Sequence, residues 1–167
     1  KPKNKLEIEI IGTARLYGRQ IDPNLGGDFE KIPDNLKKIY TKEQKYWETK
    51  SKYIQQIAQE LKDENLNVVQ NAERVYEFVI QNLSYDYEAQ NKGMVERKGA
   101  KEAIVQKENS TCMEFSDLFI AISRAIGIPA REVNGYAFAS EGENKPISIN
   151  LNGGDYLHSW AEFYDPN

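Results

Sequence analysis

Hydrophobic and polar residues alternate near the start of the chain. Leu6, Ile8 and Ile10 are separated by Glu7 and Glu9, which predicts a half-buried strand. Pro and Gly then punctuate residues 22–35, which read as a loop. A helix is expected from Thr41, a candidate N-cap with Gln44 three residues on; Tyr46, Trp47, Ile54, Ile57, Ala58 and Leu61 form its broad apolar face. The polar run 62–67 breaks that pattern, and Asn67 is placed to cap a second helix. There Val68, Ala72, Val75, Tyr76, Val79, Ile80 and Leu83 recur at helical spacing. Both stripes read as core packing. Residues 84–100 read as an irregular connection leading to a short helix at "AKEAIVQK".

The best-bounded element follows. Phe115, Leu118, Phe119, Ile122 and Ile126 recur at helical spacing, and Thr111 with Glu114 fits a capping box. Gly127 fits the C′ position, Ile128 the apolar contact beyond it, and Pro129 prevents continuation. On this helix Arg124 is expected at the surface. Strands are expected at 130–139 and 156–164, with a polar connection at 140–155 and a short strand at "ISINL" inside it. In the last strand Tyr156, His158, Trp160, Glu162 and Tyr164 share one face. Helices precede strands, which predicts an α+β fold with segregated layers.

A chain of 167 residues with 40% hydrophobic and 29% charged positions is long enough for one domain with a substantial core. A net charge of −4 argues against nucleic acid as a partner. No apolar run approaches the roughly 18 residues of a membrane span. No nucleotide-binding glycine motif occurs, and no cofactor is implied. The single cysteine and single histidine exclude an internal disulfide and a thiolate or histidine metal cluster. Neither end carries a recognisable signal, and both are expected to be cuts in a longer chain.

Cys112 stands at the start of the capped helix. A lone cysteine is ordinarily inert filler, and a lone histidine an ordinary hydrogen-bonding residue. A helix start, however, favours negative charge through its free N–H groups and dipole. If the strand bearing His158 packs beside it, Cys112 and His158 form a nucleophile–base pair, with the thiol drawn toward a thiolate.

Three blocks carry a family resemblance. "STCMEFSDLFIAISRAIGIPAREVNGY" resembles the cysteine block of the transglutaminase-like superfamily, "HSWAEFYDP" its histidine block, and "VIQNLSYDYE" the segment before the cysteine. The resemblance extends from about residue 36. It implies a papain-like core over 36–167, with the cysteine-bearing helix packed on a C-terminal antiparallel sheet. Residues 1–35 are expected to be a separate strand-and-loop segment. It further implies that Cys112 attacks a carboxamide carbon, that His158 moves the proton, and that Trp160 and Tyr85, with Asp86 beside it, line the substrate cleft.

Two departures accompany the resemblance. The family's third residue, an aspartate that orients the histidine, lies further along than this chain runs. Asp165 is roughly 20 Å from His158 along a straight strand and Glu162 about 13 Å, so neither is assigned. The orienting acid is expected beyond Asn167, and a chain without it is expected to be slow or inactive. Ser110 stands where the family usually has glycine. Arg131 and Glu132 are expected to be ion-paired or solvated. Asn82 and Asn109 open sequons that are read as chance matches. The function expected is a cysteine-dependent peptidase or amidase acting on a protein or peptide substrate. A protein-glutamine transglutaminase and a non-catalytic binding module are the alternatives. The oligomeric state is not legible.

Overall fold

The computed structural model describes residues 21–86, 96–138, 149–151 and 155–167. The strand expected at Leu6–Ile10, residues 87–95 and most of the 140–155 connection lie outside the described residues. Five α-helices and three strands are seen among the rest: α1 (Asp34–Tyr40), α2 (Lys52–Leu61), α3 (Val68–Asn82), α4 (Ala100–Val105), α5 (Cys112–Ile126), β1 (Ala130–Phe138), β2 (Ile149–Leu151) and β3 (Asp155–Phe163).

Local signals account for the well-formed elements. Asn67 accepts from the Gln70 N–H at 2.9 Å and Gln70 accepts from the Asn67 N–H at 3.1 Å, the reciprocal cap expected for α3. At the end of α5, Gly127 takes φ 98°, and the N–H groups of Gly127 and Ile128 donate to the carbonyls of Arg124 and Ser123 at 3.1 and 2.8 Å. This is a Schellman close, for which glycine is favoured because it carries no Cβ.

The helix expected from Thr41 is shorter and starts later. Thr41 is instead the C-cap of α1, a helix that begins inside the stretch read as loop; residues 44–47 form a turn closed by a Gln44–Trp47 bridge, and α2 starts at Lys52. The reason is tertiary. The Trp47 indole donates to Asp117 Oδ1 at 2.7 Å, and the Arg124 guanidinium lies 4.3 Å above its ring. Those contacts draw Tyr46 and Trp47 onto α5.

The sheet has the order β1-β3-β2 and is antiparallel throughout. Ala130 pairs with Phe163 at one end of β1 and Phe138 with Asp155 at the other. The described pairing of β2 runs from Leu151–Asp155 to Ile149–Leu157. Helix α5 packs on the sheet, with Phe119 against Phe163, and its other sides meet α2, α3 and α4. Leu118, Ile122, Ile54, Val75 and Ala103 are buried between them. Because α5 is covered on nearly all sides, Arg124 is buried rather than exposed. Its guanidinium donates to the carbonyls of Ala130 at 2.9 Å and Lys42 at 2.7 Å, and burial pushes its pKa down to about 10.

Residues 21–33 lie against the core. Ile32 is buried in it, the Gly27 carbonyl accepts from Val68 N–H at 3.0 Å, and Gly27 N–H donates to Asp165 at 2.8 Å. No helix among the described residues is long and apolar enough to cross a membrane.

Candidate active site

The start of α5 is held by a buried carboxylate. Glu114 is fully buried and accepts from the Thr111 N–H at 2.9 Å, the Thr111 hydroxyl at 2.7 Å and the Lys98 N–H at 3.1 Å. Cys112, the first residue of the helix, is only partly buried. A short parallel bridge brings Tyr85 beside Ser110, with Asp86 N–H donating to the Ser110 carbonyl at 2.8 Å. The Tyr85 ring packs against Phe115 with centroids 6.0 Å apart. There burial pushes the Tyr85 hydroxyl pKa up, and the neighbouring Cys112 thiol adds to this. Tyr85, expected to line the cleft, thus lies beside the thiol.

Helix α5 packs on β3, and the Ser159 backbone N–H of that strand is near enough to the Cys112 sulfur to favour its thiolate form. His158 precedes Ser159, so the structure brings Cys112 and His158 to the same end of α5. Burial pushes the Cys112 thiol up, the nearby Glu114 carboxylate adds to this, and the Ser159, Met113 and Cys112 N–H groups oppose it. Burial also pushes the His158 imidazole down. Both shifts favour the neutral forms and work against the charge separation expected from the helix start. The His158 Nδ1 is buried and has no hydrogen-bond partner among the described residues.

Trp160 and His158 share a face, as expected, and their rings stack with centroids 6.0 Å apart and planes 29° apart. Gly135 pairs with His158 across the sheet, and a Cβ there would come within 3.0 Å of the Trp160 ring. Glycine is what lets that ring lie flat across β1. Ser110, in the family's usual glycine position, is fully buried, and its hydroxyl has no hydrogen-bond partner among the described residues. Asp165 holds Gly27, and Glu162 pairs with Arg131 at 2.8 Å, so both acids passed over as orienters are engaged elsewhere.

One cluster under the site was not legible in the sequence. Asp117 on α5 is fully buried and takes two bonds from Arg97, one of them from Nε at 2.9 Å, besides the Trp47 indole. Arg97 reaches on to Glu132 of β1, its two terminal nitrogens 3.1 and 3.0 Å from the carboxylate. Glu132 in turn accepts from the Ser159 hydroxyl at 2.8 Å. Two carboxylates share one guanidinium. Burial pushes the Asp117 carboxyl up to about 6, with the Arg97 and Trp47 donors limiting the rise. A cavity of about 510 Å³ opens alongside, lined by Asp86, Lys98, Glu102 and Asn109 among others. A groove of about 340 Å³ lies at the opposite end of the sheet, between α1 and the Ala130–Phe163 pair.

With this geometry in hand, known proteins place the chain. Residues 55–167 match the model of the transglutaminase-like superfamily. The chain belongs to that superfamily. Membership supports a cysteine-based catalytic domain. A crystal structure from Cytophaga hutchinsonii, described as that of a candidate cysteine protease, superposes on this transglutaminase-like domain with a TM-score of 0.60 at 21% identity. The match covers 84% of this chain and 42% of that one, so the domain spans less than half the length of that protein. At that identity the likeness establishes the fold alone. No curated protein matches the chain.

Proposed function

We propose that this transglutaminase-like domain is a cysteine-nucleophile enzyme that hydrolyses carboxamide bonds in a protein or peptide through a thioester on Cys112. One observation carries the reading: the chain's single thiol stands at a capped helix start, beside Tyr85 and beside Ser159, the residue that follows the chain's single histidine on β3. The description of the Cytophaga hutchinsonii relative supports water as the acceptor.

The chemistry follows from neutral partners. As the sulfur attacks the carbonyl carbon, the thiol proton passes to His158, as in other nucleophile–base pairs. The developing oxyanion is received by the Cys112 N–H, with the neighbouring Tyr85 hydroxyl as a second donor. The C–N bond breaks, and His158 returns the proton to the departing amine. Water then attacks the thioester, giving one proton to His158; the C–S bond breaks, the sulfur regains that proton, and the carboxylic acid leaves, losing its own proton to solvent. Trp160 orients the His158 ring by stacking and walls the cleft.

The unpartnered His158 Nδ1 favours a second reading, a binding module that keeps the fold without turnover. One experiment separates them. A carboxamide peptide is incubated with the protein, and intact mass is followed with and without an added primary amine. Acylated Cys112 and a carboxylate product support the proposal, and an amide product with the added amine indicates a transglutaminase. No adduct on wild type, identical to Cys112→Ala, favours the binding module.

A further inference from the structure

Lys98 touches the start of α5 on both sides of Cys112. Before the thiol, the Lys98 ammonium donates to the Asn109 carbonyl; after it, the Lys98 backbone N–H donates to Glu114 at 3.1 Å. Glu114 is a fully buried carboxylate two residues along the helix from the thiol. Its other donors among the described residues, the Thr111 N–H and hydroxyl, belong to the same turn of chain. The Lys98 N–H is therefore the donor that reaches this charge from outside the helix. Arg97 fixes where that N–H lies. Its guanidinium holds Asp117 on α5, with Nε at 2.9 Å, and Glu132 on β1, with Nη1 at 3.1 Å. On the other side of Lys98, the Ala100 N–H donates to the Tyr46 carbonyl at 2.9 Å. Lys98 is thus held between two anchors, and the Arg97 anchor bears on the cysteine helix itself.

We propose that Arg97 is a positioning residue that, by gripping Asp117 and Glu132, seats the Lys98 backbone N–H on the Glu114 carboxylate and thereby tunes the reactivity of the Cys112 thiol. The reason is electrostatic. A buried carboxylate acts on its neighbours through a medium of low polarity, so its charge is felt strongly two residues away. A well-placed N–H donor offsets part of that charge and weakens its action on the sulfur. In agreement, Glu114 adds to the burial that pushes the Cys112 thiol up. The other titratable groups at this end of α5 are Tyr85 of the preceding segment, His158 of β3 and, further along the helix, Asp117, whose charge Arg97 offsets as well. This inference rests on the proposed nucleophilic role of Cys112, but its readout does not require turnover.

The test is the rate of Cys112 alkylation by iodoacetamide at pH 8, read by intact mass, in wild type, Arg97→Met, Arg97→Lys, Glu114→Gln and Arg97→Met/Glu114→Gln. Arg97→Met is expected to slow alkylation by about fivefold, the scale of one hydrogen bond. Arg97→Lys keeps a cation for Asp117 without the fork that reaches Glu132, and is expected to fall between. In the Glu114→Gln background most of the slowing caused by Arg97→Met is expected to vanish, because the charge it acts through is gone. Hydrogen exchange at the Lys98 amide, compared with the amides of α3, reads the seating of the N–H directly and is expected to accelerate in Arg97→Met. A grip that is only structural would lower the melting temperature and leave alkylation of the folded protein and the relative Lys98 exchange unchanged. That result overturns the proposal, as does slowing that persists in full without Glu114. Failure of the enzyme reading looks different: wild type forms no acyl adduct from a carboxamide peptide, while alkylation still responds to Arg97 through Glu114.

Discussion

Replacing Arg97 with methionine leaves a fully buried carboxylate without its cation. Methionine keeps much of the apolar stem, so the loss falls on the guanidinium. Removing one partner of a buried pair costs about 3–5 kcal/mol. The Arg97 side chain is 18% exposed while Asp117 is fully covered, which puts the expected cost toward the lower end, about 3 kcal/mol. Loss of the guanidinium from its position 4.4 Å above the Tyr46 ring adds roughly 0.5–1 kcal/mol. For a domain whose total stability is about 5–15 kcal/mol this is a large fraction. The effect has a pH signature. The Asp117 carboxyl is raised to about 6 in the folded protein, against 3.8 ordinarily, so between those values the folded state binds the extra proton. That contribution to stability is present at low pH and is lost as pH rises through about 6. Without Arg97 the carboxyl rises further, and acid then removes most of the uncompensated charge. Urea unfolding of wild type and Arg97→Met at pH 8 and pH 5 is the assay, with Arg97→Met/Asp117→Asn as the third protein. The cost is expected to be about 3–4 kcal/mol at pH 8, smaller at pH 5, and partly recovered in the double variant. A cost under about 1 kcal/mol at both pH values would refute the reading of Asp117 as a buried charge held by Arg97.

Further predictions concern the site and its support. Glu114→Gln removes a buried negative charge while keeping an N3 side chain that can cap Thr111, so Cys112 alkylation is expected to move to lower pH; an unmoved profile contradicts the opposing role of Glu114. Tyr85→Phe is expected to lower acylation by about 100-fold while iodoacetamide still reaches the thiol, as loss of an oxyanion donor does. Gly135→Ala is expected to tilt the Trp160 ring, visible as altered tryptophan fluorescence, and to slow acylation with little change in melting temperature. Asn71 is fully buried and donates to three carbonyls, those of Asp63, Leu66 and Asn67, at 3.0 Å each; Asn71→Ala is expected to cost about 2–4 kcal/mol by thermal unfolding, with alkylation at Cys112 unaffected.

Much of the fold could be read from local chemistry. The α5 boundaries follow from Thr111, Glu114 and Gly127, because caps and stops are decided within a few residues of the chain. The same holds for Asn67 and Gln70 at α3, and for the alternation that marks β3. What failed depended on distant contacts. Thr41, Gln44, Tyr46 and Trp47 imitate a helix start in sequence, yet Trp47 is claimed by Asp117 and Arg124 about seventy residues away. Arg124 reads as a surface residue only if α5 has a solvent face. Its spacing of seven from Asp117 puts both polar side chains on one stripe, a signal that they share a buried partner. Cys112 and His158 stood out because each is the only one of its kind. The Ser159 N–H had no such signal, because only the packing of α5 on β3 brings it near the thiol. Glu114 was legible as a cap but not as a charge that works against the thiolate.

The central claim is that Cys112 is a nucleophile assisted by His158. The most direct measurement is the rate at which a small activated ester acylates Cys112, followed by intact mass across pH in wild type, His158→Ala and Cys112→Ala. The account predicts a thioester on Cys112 in wild type, formed around neutral pH through the neutral imidazole, much slower formation in His158→Ala, and none in Cys112→Ala. Acylation of Cys112 at the same rate with and without His158, rising only as an ordinary buried thiol ionises, would contradict it.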